Sequence, residues 1–125
     1  MVDDRIKKAV DDGIPFEEVV PPLRAFDAEA YIHYKAEKEA GPEKLRRIDK
    51  ERSSRSARRW NRIIYLVNAK EKPKESDHLN EGEMYDYERM AETKELQDRV
   101  MRKECEERGL RFCPLIYENV EIDWK

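Results

Sequence analysis

The chain has 125 residues, 44% of them charged and 38% hydrophobic, with a formal net charge of -3. That length fits one domain better than two independent cores, and so much charge leaves room for only a thin apolar interior. No apolar run approaches the roughly 18 residues of a membrane span and the opening MVDDRIKKAVDD lacks the pattern of a secretion signal, so a cytoplasmic protein is expected.

A short amphipathic helix is expected over Asp3 to Asp12, with Ile6, Ala9 and Val10 on one side and Gly13 and Pro15 ending it. Pro15, Pro21 and Pro22 limit residues 14–23 to a brief turn that wraps the core, so 1–26 reads as a partly irregular N-terminal segment. The good helix formers after Asp27 stop at Gly41, a usual left-handed terminator, and Pro42 restarts a helix at its first turn. From Pro42 the pattern stays helical to about Ala69, with a bend or break expected in the polar stretch Asp49 to Ser54. At roughly 100° per residue, Ser53, Ser56, Ala57, Trp60, Ile63, Ile64 and Val67 share a face expected to be core.

Residues 71–80 form a polar loop, and Asn80 with Glu83 has the spacing of a capping box that opens a long helix. Met84, Tyr87, Met90, Ala91, Met101 and Cys105 lie along one face of that helix to about Arg108, where Gly109 and Leu110 resemble a Schellman ending. Lys94 and Asp98 interrupt the stripe four residues apart and pair with each other or with a neighbour. In the tail FCPLIYENVEIDWK the period changes: Phe112 to Tyr117 is a short apolar run, and Val120, Ile122 and Trp124 alternate with acidic residues, which reads as extended chain or a β-hairpin. The tail either completes the core or pairs with a partner's sheet edge or a second copy of the chain, so a homodimer stays open. The expected fold is a mainly α single domain, with a helical core over 27–108 and an extended segment over 109–125. It is built on an antiparallel helical hairpin of residues 42–70 against 81–108.

Charge is unevenly placed. Residues 44–62 hold nine lysines and arginines against Asp49 and Glu51, a local +7 that leaves -10 for the rest of the chain. Within this segment Arg52, Arg55, Arg59 and Arg62 follow spacings of 3, 4 and 3, a stripe on the solvent side of the helix, with Arg58 beside it. Planar guanidinium groups at helical spacing suit phosphate oxygens, whereas Glu81, Glu83, Asp86, Glu88, Glu92 and Glu95 of the next helix offer internal neutralisation.

Catalysis and metal binding have little footing. Cys105 and Cys113 read as reduced thiols, and with His33 and His78 they show no ligand or triad spacing, so neither metal nor cofactor is expected. His33 reads as a structural or surface histidine. The adjacent acid pairs Asp3 with Asp4, Asp11 with Asp12 and Glu17 with Glu18 diverge on any regular backbone. Of the four glycines at 13, 41, 82 and 109, only Gly82 has no local turn or helix-end explanation. The expected function is a non-catalytic binding module, not an enzyme, that docks Arg52, Arg55, Arg58, Arg59 and Arg62 on nucleic acid or a nucleoprotein. The alternative is a stoichiometric inhibitor or adaptor that binds an acidic protein surface, of the kind a mobile element directs at a host nuclease or defence complex.

Overall fold

Most of the helix boundaries from Gly41 onward have a local chemical cause. The computed structural model describes residues 4–19 and 27–121. Among them lie α1 (Asp4–Asp11), α2 (Asp27–Ala40), α3 (Pro42–Ser54), α4 (Ala57–Ala69) and α5 (Glu81–Arg108), with single 3-10 turns at Phe16–Glu18 and Glu75–Asp77. Gly41, at φ +83°, separates α2 from α3, and Pro42 opens the new helix. The break expected in Asp49 to Ser54 comes just after it: α3 runs through Ser54, Arg55 and Ser56 are extended, and the Ser56 side chain accepts the backbone N–H of Arg59 as the N-cap of α4. Ser56 therefore caps a helix instead of lining its core face. Asn80 and Glu83 form the reciprocal capping box, and Gly109, at φ +66°, closes α5.

At 28 residues α5 runs about 42 Å and serves as the spine. On one side of it Ile6 and Ala9 of α1, Phe16, Val19, and Ala28 and Ile32 of α2 gather around Leu96. On another, Ile63, Ile64 and Val67 of α4 close over Met90, with Trp60, Tyr87 and Tyr117 packed against them. Serving several neighbours spreads the buried positions of α5 around its circumference. Glu83, Asp86, Thr93, Lys94 and Asp98 are buried, whereas Met84 and Met101, expected in the core, are exposed. Among the described residues no helix is long and apolar enough to cross a membrane.

The antiparallel partner of α5 is α2, and the expected hairpin of 42–70 against 81–108 needs correction. Leu96 packs with Ala28 and Ile32 while Arg89 reaches His33, so contacts fall along α5 as they rise along α2. Along α4 they rise together: Arg59 meets Glu83, and Val67 meets Met90. The connector 70–80 makes this arrangement reachable, because eleven extended residues span more than the ~20 Å length of α4. It doubles back along α4, where Arg62 holds Asp77 and Arg59 holds the carbonyls of Asp77 and His78.

Residues 110–121 contain no strand, and their chain is held by side chains instead of a neighbouring strand. Asn68 takes both peptide groups of Tyr117, accepting its N–H at 2.9 Å and donating to its carbonyl at 2.8 Å. Asn61 grips Val120 in the same way at 2.7 and 3.0 Å. Asp98 accepts the Leu115 N–H at 2.7 Å, and the paired Lys94 donates to the Leu115 carbonyl at 2.5 Å. Residues 20–26 and the alternation at Ile122 and Trp124 lie outside the described residues. Losing two hydrogen bonds of about 1 kcal/mol net each raises local opening by about tenfold or more. Asn68→Ala should therefore speed amide exchange at Tyr117 by about that factor and leave residues 90–98 unchanged, as read by hydrogen-exchange mass spectrometry.

Candidate functional site: the arginine ladder

The stripe arginines do not face solvent as a free row. Their helix faces turn them toward α5 and the connector, and each meets a carboxylate. Asp86, fully buried at 0% exposure, receives both Nε and Nη2 of Arg52, Nη1 of Arg55 at 2.5 Å and Nη2 of Arg89 at 3.4 Å. Arg52 also donates to Asp49 at 3.1 Å. The Arg55 side chain is only 2% exposed, pairs with Glu51 through its other nitrogen, and stacks on Trp60 at 4.6 Å from the ring centroid. Arg59 grips Glu83 with two bonds of 2.7 Å, and Arg62 donates to Asp77 at 2.9 Å while lying over the Tyr65 ring. Arg58 is exposed and has no carboxylate partner among the described residues.

Two sequence features have their place here. The Glu51 carboxylate lies over Gly82, where an added Cβ would sit 2.6 Å from Glu51 Oε1 and the flexible Glu51 side chain would have to move off. From there Glu51 accepts the Gly82 N–H at 3.3 Å, so one carboxylate serves both Arg55 and the open first turn of α5. Glu83 and Asp86, three residues apart, share the α5 face that meets the basic segment. Glu88, Glu92 and Glu95 stay exposed and do not pair with the stripe; Asp77 and Glu51, not expected in this role, do.

Burial works against ionisation of Asp86, yet the hydrogen bonds from Arg52 and Arg55 outweigh it and hold the carboxyl below its ordinary range. Glu83 behaves alike: burial opposes its charge, while Arg59 and the Asn80 N–H lower its pKa. His33 is pulled down to about 4, first by burial and then by the charges of Arg89 and Arg52, so it stands neutral at neutral pH and accepts from Arg89. Glu29 also faces this imidazole, at 3.6 Å. Arg55 Nε and Arg89 Nε are buried with no acceptor among the described residues, so the cluster carries a desolvation cost that its ion pairs must offset.

The geometry joins helices through ion pairs. Among the described residues no group of three or more His, Cys, Asp or Glu side chains is placed to hold a metal ion. Cys105 is buried and Cys113 exposed, both as free thiols. No protein-family model, curated protein or solved structure matches this chain.

Removing one member of a buried ion pair strands its partner at a cost of about 3–5 kcal/mol. Arg55→Ala should lose about that much stability, whereas exposed Arg58→Ala should stay within about 0.5 kcal/mol, as measured by urea unfolding. The low pKa of His33 gives a second expectation. Between about pH 4 and 6.5 the unfolded chain binds a proton at residue 33 that the folded chain refuses, so stability rises with pH through that window. His33→Gln should flatten that part of the melting-temperature profile. The acid loss from Asp86 should remain, since its lowered pKa gives stability that is present above the ordinary carboxylate range and lost as pH falls through the folded value.

Proposed function

We propose that the chain acts in the cytoplasm as a non-catalytic adaptor or stoichiometric inhibitor that binds another protein along its ordered tail. The observation that supports this reading is apolar surface on a pinned segment of an otherwise highly charged molecule. Ile116 is 67% exposed and Val120 44%, and Tyr65, 51% exposed, lies on the α4 face between the Asn61 and Asn68 grips. Single exposed apolar residues are ordinary, but a contiguous set on a rigid support is what a partner surface uses. Leu115 and Tyr117 point their peptide groups inward, and the N–H and carbonyl of Ile116 have no partner among the described residues. An extended segment of a partner can pair there by strand addition, with Ile116 and Tyr65 as anchors.

Docking on nucleic acid or a nucleoprotein is the second reading. What supports it now is Arg58, together with Arg46 and Lys50 one turn apart on α3, exposed cations left after the ladder has consumed the others. Using Arg52, Arg55, Arg59 and Arg62 for phosphates means breaking their pairs with Asp86, Glu51, Glu83 and Asp77.

Affinity capture from the native source, with and without nuclease, separates the two. The adaptor reading expects a partner that survives nuclease and is lost with Ile116→Asp plus Val120→Asp at unchanged melting temperature. A partner released by nuclease, or lost with Arg46→Glu, Lys50→Glu and Arg58→Glu while the tail variant retains it, sinks that reading in favour of nucleic acid. Recovery of a second copy of the chain alone, tested by analytical ultracentrifugation, assigns the tail to self-association.

A further inference from the structure

A cavity of about 680 Å³ opens between the C-terminal end of α4, the start of the connector and the second half of α5. Its apolar lining comes from Val67, Tyr87 and Ala91. Around it stand Lys70 and Lys72 from the connector and Arg102 and Lys103 from α5, none with a carboxylate partner among the described residues. Lys94 and Arg99 also line it but are engaged, by Asp98 and Glu17 respectively. Glu95 and Glu106 are the opposing carboxylates without an ion-pair partner, so the unpaired charge of the cavity is positive.

The lysines are mounted, not loose. Tyr87 donates its hydroxyl at 2.8 Å to the carbonyl of Glu71, the residue between them, and the Glu71 N–H donates to the Leu66 carbonyl at 3.0 Å. Lys70 itself sits in the left-handed region at φ +56°, the helix-ending position that glycine or asparagine usually takes. Its N–H bonds the Leu66 and Val67 carbonyls, so the side chain is carried beside the cavity on a fixed helix end. Arg102 lies over the Phe112 ring at 5.0 Å, which fixes its guanidinium on the α5 side.

We infer that this cavity binds a small phosphate-bearing ligand with an apolar body, of nucleotide size. Cations from two separate elements line the one cavity, and Arg102 is able to offer two parallel N–H donors to a phosphoryl group. Val67, Tyr87 and Ala91 take the body, and the volume falls within the range of roughly 300–1,000 Å³ typical of small-molecule sites. The site shares Lys94 with the anchorage of the tail but uses none of Ile116, Val120 and Tyr65, so it does not depend on the adaptor reading.

Isothermal titration of the full chain with ADP and with inorganic pyrophosphate tests this. ADP should bind, more tightly than pyrophosphate because only ADP fills the apolar part. Lys70→Gly with Lys72→Ala, and separately Lys103→Ala, should each weaken ADP at least tenfold, while Lys8→Ala, exposed on α1 and outside the cavity, leaves it unchanged. Glycine suits the backbone at residue 70, so an unaltered melting curve should accompany the loss. No binding of either probe at millimolar concentration, or binding that the lysine variants leave intact, overturns the assignment. So does a thymidine octanucleotide without terminal phosphate that binds more tightly than ADP through the same lysines, since the cavity would then be a nucleic-acid strand site.

Discussion

One carboxylate organises this molecule. Asp86 is fully buried on the central helix, and a lone carboxylate there would be prohibitively costly, so its charge stands only because Arg52, Arg55 and Arg89 converge on it. Meeting that demand brings α3 and the junction before α4 onto α5, and Arg89 extends the connection to His33 on α2. The two apolar clusters gather on α5 around Leu96 and Met90, and α3 adds Ile48, buried at 1% exposure, beside its ion pairs to the start of α5. Ion pairs with unpartnered Nε atoms are a poor source of net stability. Their stronger effect is on register, because a one-turn slip of α3 along α5 would leave Asp86 without its guanidinium groups.

Much of the secondary structure was legible because it is dictated locally. Gly41 and Pro42, the Asn80 and Glu83 box, and Gly109 mark boundaries by backbone chemistry, and the structure puts them at those positions. The core face of α4 was legible too, since Ile63, Ile64 and Val67 repeat at helical spacing and pack against one principal neighbour. The buried surface of α5 was not, because a helix shared by several neighbours buries residues all round, and here many are charged. A period-based reading selects Met84 and Met101 and passes over Asp86 and Thr93. Helix order failed for another reason: a loop length says how far a chain can travel, not which way it turns. The pairing of Arg62 with Asp77 that folds the connector back has no signature in spacing.

The candidate site was half visible. Spacing identified the arginines as one row, and internal neutralisation by the next helix was an open alternative that the geometry favours for Arg52, Arg55 and Arg59. Which side of the helix the row occupies was misjudged, since charged residues are by default assigned to water. With the ladder closed, accessible character moves to the periphery, to the apolar tail edge and the lysine-rimmed cavity. Lys94 belongs to both, lining the cavity while its ammonium holds the Leu115 carbonyl.

The ladder also has a direction in sequence. The cross-element partners of its arginines all lie downstream, 15 residues on for Arg62 with Asp77 and 34 for Arg52 with Asp86. A chain emerging from the ribosome therefore presents its most basic stretch before the carboxylates that neutralise it have been made. During that interval the nascent segment is a polycation beside a polyanionic ribosomal surface, and only the arrival of the connector and α5 brings Arg52, Arg55, Arg59 and Arg62 their carboxylates. The same four arginines thus lack their cross-element partners before folding and hold them after it, and a product truncated before Asp77 would keep the earlier state.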